Sequence, residues 1–595
     1  MENSLKYIST TSILPNEVLG KDIVFVSKAA MTESTRLRLN DISYKVLPDI
    51  WDNHKKHKEG SVYLEKLYGN LTKKIGFALS KLHNVDYPYS FWELPMASWL
   101  LFFLPPLFDR YSRLKHAIEL YGRENMILLA CRYKLGPYTG YPDFMEKVCV
   151  IEQSVSAFYG EVANKMGIDV EEFYSNEPTK GIVRLPQKNL DALLKLLLLK
   201  VFNKLKKELW NFIPLKLFEG KNILMEQYKF NEWERFILAK ELKASFLPSR
   251  IKAPVLSQKV DRSLLLTINA KDEFEKVVIG LLPRFMPEYL LEYFGSYAKD
   301  AEKLSGYKAY FFTTSWVSNI LFSYTASFGK MKGAKIIACQ HGGGYGQHES
   351  NYGELIERNF SDFFITWGWK DTFYPGAKIM SLPQPDLSRI FNKHKPKLNM
   401  AIWVSNSSPK HVYRFLPYPF MPEALPLYFN FKRSFLSSID SDIRKYIVYR
   451  PYLYDYGWGK EEKEIFKEYP DIRIECTGEL PKLLKKIRFF ICDHLTTSFM
   501  EALVANTPSI LFWNYELCRE RKDAKSVFDL LRKAEILFHD PIDAANQVNF
   551  IWDDVQGWWK EPKRQAARLE FMETFCLTDS HWQERWVEAF KEIAK

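Results

Sequence analysis

The chain has 595 residues, 47% of them hydrophobic and 26% charged, which is too long for one hydrophobic core and predicts three or four globular modules. Its formal charge of +11 comes from Lys and Arg spread along the chain without a long basic run, so a shallow positive field is expected and a dedicated nucleic-acid stripe is not. Seven scattered cysteines, odd in number and without a CxxC pair, point away from a disulfide framework or a zinc site and toward a reducing compartment.

Residues 1–14 lack the basic and apolar regions of a signal peptide, which predicts a cytoplasmic protein. The apolar run 23–26 is the first expected strand. From about 61 to 245 the apolar spacing is helical, as in 190–210, where Leu and Lys recur with a period near 3.6. Within that region, 94–108 is uncharged and rich in Trp, Leu and Phe, yet too short to span a bilayer and interrupted by Pro105 and Pro106. A buried helix ending there is expected, with a monotopic membrane contact as the rival.

After Pro254 the texture changes to short apolar runs separated by Gly-bearing turns and amphipathic segments, the rhythm of βα units around a parallel sheet. Strands are expected at 309–313, 335–339 and 363–367. A polar Lys/Pro/Asn stretch at 393–399 reads as a linker, and a second set of strands follows at 401–404, 446–449, 472–475, 489–492 and 509–512. The tail 541–595, with Trp552, Trp558, Trp559, Trp582 and Trp586, reads as packed helices. The aromatic content of 15% suits stacking on sugar rings or bulky cores between helices.

Three segments carry chemistry. Gln340-His341-Gly342-Gly343-Gly344-Tyr345-Gly346 follows an expected strand directly, and its glycines let main-chain N–H groups approach a phosphate or a sugar. His341 can serve as a general base, as a donor to a phosphate, or as an imidazole bonded to a carboxylate that shapes the loop. Glu354 and Glu357, three apart, share a helix face that is either solvated or turned to the cleft. Gln340, His341, Glu354 and Glu357 are the candidate catalytic residues, and Gly342, Gly343, Gly344 and Tyr345 the candidate donor-binding loop.

The second segment runs from a strand ending at Asp493 into a helix, with Thr496, Thr497 and Ser498 at its start and Glu501 one turn in. A helix N-terminus with hydroxyl side chains suits a phosphate, and the carboxylate suits ribose hydroxyls. The third segment, Arg450-Pro451-Tyr452, sets a cation at a strand end, where it can take a phosphate or a sugar carboxylate. Asp440-Ser441-Asp442 mimics a metal-binding DxD but sits at an apparent helix start, where capping explains it.

At these residues, joined by Ser361-Asp362, Thr366-Trp367-Gly368-Trp369 and the aromatic Tyr89-Ser90-Phe91-Trp92 segment, the chain resembles a family of surface-polysaccharide (O-antigen) transferases related to bacterial capsule Kdo transferases and pseudaminic acid transferases. That resemblance implies an α/β, GT-B fold: two Rossmann-like domains facing a cleft, with a helical N-terminal insertion and C-terminal helices. The corresponding layout is an acceptor-side domain over 1–395, a nucleotide-sugar domain over 396–540 and helices over 541–595. It also implies transfer of an acidic sugar from a CMP-sugar to a glycan or lipid-linked acceptor, with retention and without a metal cofactor; the rival reading of 94–108 would set such an enzyme in peripheral contact with the inner membrane. Capsule relatives carry a Lys-Pro-His-Pro-like strand end where this chain has Arg450-Pro451-Tyr452. A UDP- or GDP-sugar donor, a polyol-phosphate donor and a non-catalytic glycan-binding scaffold are the alternatives.

Overall fold

The computed structural model describes residues 5–30, 39, 42–51, 53–176, 181, 183–184, 220–226, 228–247, 258–370, 376–415, 421, 424–456, 458–476 and 478–595. The Leu/Lys segment 190–210 lies outside them. Among the described residues the strands form three parallel sheets and one antiparallel ribbon.

The first sheet comprises β1 (Lys6–Ser9), β2 (Ile23–Phe25), β3 (Tyr44–Val46), β4 (Met126–Cys131) and β5 (Asp169–Phe173), in the order β3-β2-β1-β4-β5. A short β6 (Val183–Arg184) follows. The second sheet comprises β7 (Ile223–Met225), β8 (Ala244–Phe246), β9 (Ala309–Phe312), β10 (Lys335–Cys339), β11 (Phe363–Thr366) and β12 (Lys378–Ser381), in the order β12-β11-β10-β9-β7-β8. The third is built from β13 (Leu398–Val404), β14 (Ile447–Arg450), β16 (Arg473–Ile474), β17 (Ile487–Cys492), β18 (Ser509–Phe512) and β19 (Leu537–Phe538), in the order β16-β14-β13-β17-β18-β19. Between β14 and β16, β15 (Tyr454–Asp455) pairs antiparallel with β6. Strand order reverses in each sheet, and the carboxyl ends of strands at such a reversal are where open α/β sheets bind ligands. The second and third sheets are the facing pair that the GT-B resemblance implies; the first adds to it.

Three sequence expectations are corrected. The region 61–245 is not continuously helical, because β4, β5, β6, β7 and β8 lie in it. The run Met-Ile-Leu-Leu-Ala-Cys of β4 is apolar at every position, and such a run has no period to separate a doubly covered strand from a buried helix. The stretch 393–399 is not wholly a linker, since β13 begins at Leu398 and regains register with β17 at Ala401 after an irregularity. Finally, the prolines do not end the aromatic helix. One helix runs Tyr89–Tyr121 through Pro95, Pro105 and Pro106, with residues 94–107 buried. Packing on all sides offsets the lost backbone hydrogen bonds. This helix is long and apolar enough to cross a membrane, but 89% of its most apolar window is enclosed by protein, so 94–108 is not available for the membrane contact.

The C-terminal helices Val555–Lys560, Pro562–Phe575 and Trp582–Ile593 tie the sheets together. Trp559 donates to the Asn506 side chain at 2.8 Å beside the third sheet, and Trp586 donates to the Pro383 carbonyl at 2.8 Å and packs on Phe230 and Phe311 of the second. Asp440 occupies the N-cap position of Ser441–Arg444, while Asp442 is almost fully exposed and pairs with Lys445.

Burial sets how stability responds to acid. Desolvation holds His57, His83, His341 and His348 down to about 4, His411 to about 3, and His394 and His539 below their usual range. It pushes Glu65 and Glu501 up to about 7 and raises Glu288 and Glu357. A histidine held below its unfolded value takes up a proton on unfolding, so stability is lost as pH falls from about 6.5 toward 4, whereas a carboxyl held above its unfolded value has the opposite slope between about 4.5 and 7. The histidines outnumber the carboxyls. The melting temperature should therefore fall as pH is taken from about 7 to about 5; one that holds or rises in a thermal melt series would contradict this burial pattern.

Candidate functional site

A cavity of about 720 Å³ opens between the second and third sheets. Its walls come from the carboxyl ends of five strands: Thr314 and 316–318 after β9, 341–343 and Tyr345 after β10, 404–407 at the end of β13, 450–454 at the end of β14 and 494–498 after β17. Leu101, from the long aromatic helix beside the first sheet, also lines it.

The glycine loop and the 493–498 turn touch. Gly343 N–H donates to Thr497 Oγ1 at 2.8 Å, and a Cβ at Gly343 would lie 2.6 Å from the Thr496 carbonyl carbon and the Thr497 nitrogen. Only a glycine allows two backbones this close. Behind the loop, Gln340 is fully buried; its Oε1 accepts from Trp367 N–H at 3.1 Å and Trp369 Nε1 at 2.8 Å, while its Nε2 donates to the Gly342 carbonyl at 2.8 Å. Every polar atom of that side chain holds the loop's shape.

His341 reaches the cavity, with its side chain 35% exposed. Its Nδ1 lies 3.0 Å from the Tyr345 hydroxyl and 3.5 Å from Glu357 Oε1. Desolvation, followed by the positive charge of Arg414, holds it neutral down to about 4. Glu357 lines the same wall, and its Oε1 accepts from Trp316 Nε1 at 3.0 Å. Desolvation raises its carboxyl well above the usual range. Trp316 is placed by Glu226, whose carboxylate accepts from the N–H groups of Thr313, Thr314 and Ser315 as the chain turns after β9.

On the opposite wall the helix Thr497–Ala505 starts at Thr496, with Thr496, Thr497 and Ser498 lining the cavity. Arg450 joins them from the end of β14, where its Nη2 donates to the Gly478 carbonyl at 2.8 Å. Tyr452, Tyr454 and Tyr456 cluster at this rim, with ring centroids 5.8–6.2 Å apart.

The structure thus brings together His341, Glu357, Gly342, Gly343, Tyr345, Arg450, Tyr452, Thr496, Thr497 and Ser498. Five other expected site residues stand behind the walls. Gln340 and Gly344 shape the glycine loop. Glu354 accepts from Gly346 N–H at 3.0 Å and faces Arg358 and Arg521, so the Glu354–Glu357 face is buried, not solvated. Asp493 is fully buried, accepting from Tyr428, Ser405 and Trp403 and bonding His494 Nδ1 at 2.9 Å. Glu501 faces Lys229 and Asp386 of the second-sheet unit, not a ribose pocket in the cavity. Sequence reasoning missed Trp316, Ser405, Asn406, Tyr413, Arg414 and His494, all of which line it. His494 carried a readable signal, an imidazole beside Asp493 at a strand end; Trp316, in the short helix Ser315–Ser318, and the others, in loops, had none.

The contact at Gly343 makes a direct prediction. Gly343→Ala should cost about 1–3 kcal/mol by forcing the two loops apart, whereas Gly342→Ala, whose new Cβ would meet only Thr497 Oγ1 at 3.4 Å, should leave the melting temperature nearly unchanged. Equal melting temperatures for the two variants would show that the loops do not meet as described.

Comparison with solved structures finds distant similarity. Acinetobacter baumannii MurG is 10% identical, with 63% of this chain and 100% of that one covered and a TM-score of 0.33. The pneumococcal O-GlcNAc transferase GtfA in complex with UDP and GlcNAc is 12% identical, over 51% of this chain and 60% of that one, with a TM-score of 0.33. The wall teichoic acid polymerase TagF is 9% identical, over 67% and 95%, with a TM-score of 0.30. Comparison with curated proteins yields no match. The sequence profile of the LIC12162 family transferase matches residues 7–590, nearly the whole length, and the chain belongs to that family of transferases.

Proposed function

We propose that this chain is a glycosyltransferase that moves an acidic sugar, a ulosonic or nonulosonic acid carried on CMP, onto a bacterial surface glycan, with 1–395 on the acceptor side and 396–540 on the nucleotide side. The observation that carries this reading is the shared cavity: one wall presents a neutral imidazole, and the other presents a helix start with three hydroxyl residues beside a guanidinium. A helix N-terminus and an arginine favour a phosphate, and a neutral imidazole can accept a proton.

In this reading the donor phosphate sits against Thr496, Ser498 and Arg450, with its sugar turned toward His341. The bond from the anomeric carbon to the phosphate oxygen breaks, and CMP departs with that electron pair. A bond forms from the acceptor oxygen to the same carbon, and the acceptor's hydroxyl proton passes to His341. Tyr345 and Glu357 stand beside the imidazole and hold it in place.

Ligands that bind only the native state raise its melting temperature with ln(1 + [L]/Kd), so CMP should stabilise the protein more than UMP, UDP, GDP or CDP at equal concentration. Preferential stabilisation by UDP or GDP would replace the donor assignment, and no response to any nucleotide would favour the scaffold. Ser498→Ala should weaken CMP binding by about 1.5–3 kcal/mol, the worth of one hydrogen bond to a charged group.

His341→Ala should lower turnover about a hundredfold or more, the span of acid–base groups, with CMP affinity and melting temperature little changed. Because His341 stays neutral down to about 4, turnover of the wild type should not lose activity through an ordinary histidine titration near pH 6.5. Normal turnover per folded molecule of the variant would end the proton-acceptor role.

A further inference from the structure

Lysines that are spread along the sequence are gathered by the fold at the amino-end edge of the third sheet, away from the cavity. The residues entering β13 lie against those entering β17. Lys395 N–H donates to the Lys485 carbonyl at 2.7 Å, and the N–H groups of Lys397 and Leu398 donate to the Lys486 carbonyl at 2.7 and 2.9 Å. The same stretch is pinned where Asn392 and His394 N–H donate to the Val504 and Ala505 carbonyls at 2.9 Å, and where His394 Nε2 donates to the Ile487 carbonyl at 2.8 Å. A hollow lined by His394, Lys395, Asn506, Trp559 and Lys560 brings Lys560 to this edge. Lys393, Lys395, Lys397, Lys485, Lys486 and Lys560 therefore share one face. Among the described residues none of the six ammonium groups has an ion pair, and all but Lys485 are exposed. The neighbouring acids are engaged elsewhere: Asp554 accepts from Gly557 N–H at 2.8 Å, Glu561 pairs with Arg564, and Glu479 pairs with Lys482. Asp553 is an exposed acid on this edge, too little to offset six cations.

Apolar side chains stand among the lysines. Phe391 and Leu398, at the two ends of the lysine stretch, are 37% and 39% exposed. Phe550 is 84% exposed near the end of the helix Pro541–Ile551, and Arg488 ties that helix end to the edge by donating to the Trp552 carbonyl and to Asn399 Oδ1. Like charges that repel and rings left in water are both relieved by a partner that sets phosphates over an apolar layer. An anionic bilayer has that composition: its headgroups attract lysines, and its acyl boundary accepts the rings. Duplex nucleic acid offers the phosphates without the apolar layer. The cavity lies at the carboxyl ends of the same strands, so a bilayer on the amino-end edge leaves it open.

We propose that this edge is a docking surface for an anionic phospholipid bilayer, with the lysines on the headgroups and Phe391, Leu398 and Phe550 at the acyl boundary. It is a different surface from 94–108, which protein encloses, and docking on it is independent of the donor bound in the cavity. The test is flotation of the full chain with vesicles of phosphatidylcholine alone and of phosphatidylcholine mixed equally with phosphatidylglycerol. Wild type should float with the mixed vesicles and not with phosphatidylcholine, and added salt should weaken the binding. A lysine at an anionic surface is worth about fivefold in partitioning, so Lys395→Gln/Lys397→Gln/Lys486→Gln should bind about a hundredfold more weakly. Phe550→Ser should bind about tenfold more weakly, through an apolar contact that salt does not screen. Both variants should melt like wild type, because every changed side chain is exposed. A second triple, Lys45→Gln/Lys66→Gln/Lys276→Gln, removes the same charge from exposed positions elsewhere and should bind like wild type. The proposal is overturned if wild type binds neither vesicle or both equally, or if the first triple or Phe550→Ser binds like wild type. It is also overturned if the second triple loses as much as the first, which would make net charge the cause. Binding of a duplex DNA probe that the first triple abolishes, without vesicle flotation, would assign the face to nucleic acid instead.

Discussion

The site depends on the close approach of two backbones, the glycine loop after β10 and the turn after β17, at Gly343 and Thr496–Thr497. Each loop belongs to a different sheet, and each is stiff for its own reason. Gln340 braces the first from behind, and Trp369 presses on it so closely that a Cβ at Gly346 would lie 2.5 Å from the indole. The second is fixed by Asp493, which collects hydrogen bonds from β13, from Tyr428 and from His494. Two braced loops in contact shape the cavity, which is how a site keeps reacting groups in register.

That contact also sets the electrostatics. Burial at this contact acts on both groups: desolvation holds the His341 imidazole down to about 4 and raises the Glu357 carboxyl well above its usual range. Arg414 and Arg450 both line the cavity. An overall charge of +11 spread along the chain says little about binding; two guanidinium groups in a partly dry cleft say much more, because their field is less screened there.

Most strands of the second and third sheets were legible because each is a short apolar run followed by a turn, and β10 and β18 fall where that pattern puts them. Of the first sheet only β2 was legible, as the apolar run 23–26; β4 has no period, and β1 and β3 are only four and three residues long. At the site, residues at a strand end or within four positions after it were readable: His341, Arg450, Thr496. Arg414 was not, since it stands ten residues past β13 and reaches the cavity only because Arg110 and the Trp51–Phe108 cluster, both distant in sequence, hold its loop. Residue type showed that Glu354, Asp493 and Glu501 could do chemistry, but the direction of a side chain at a strand end or helix face depends on tertiary packing, and these three turn inward to brace the walls or across to the other sheet unit.

The first sheet therefore has a place in the site without supplying a strand end to it. Its long helix contributes Leu101 to the cavity and, through Arg110, the anchor for residue 412. Arg110 is fully enclosed and spends its donors on the carbonyls of Pro106, Val148 and Val412, a geometry in which a lysine could not replace it. A buried cation that joins three backbone segments makes the position of the 410–415 loop all-or-none, because pulling the loop away would leave a charged group in a low-dielectric interior with an unmade bond. The cost of that arrangement is desolvation of Arg110, and its return is that Arg414 is already in place before any ligand arrives.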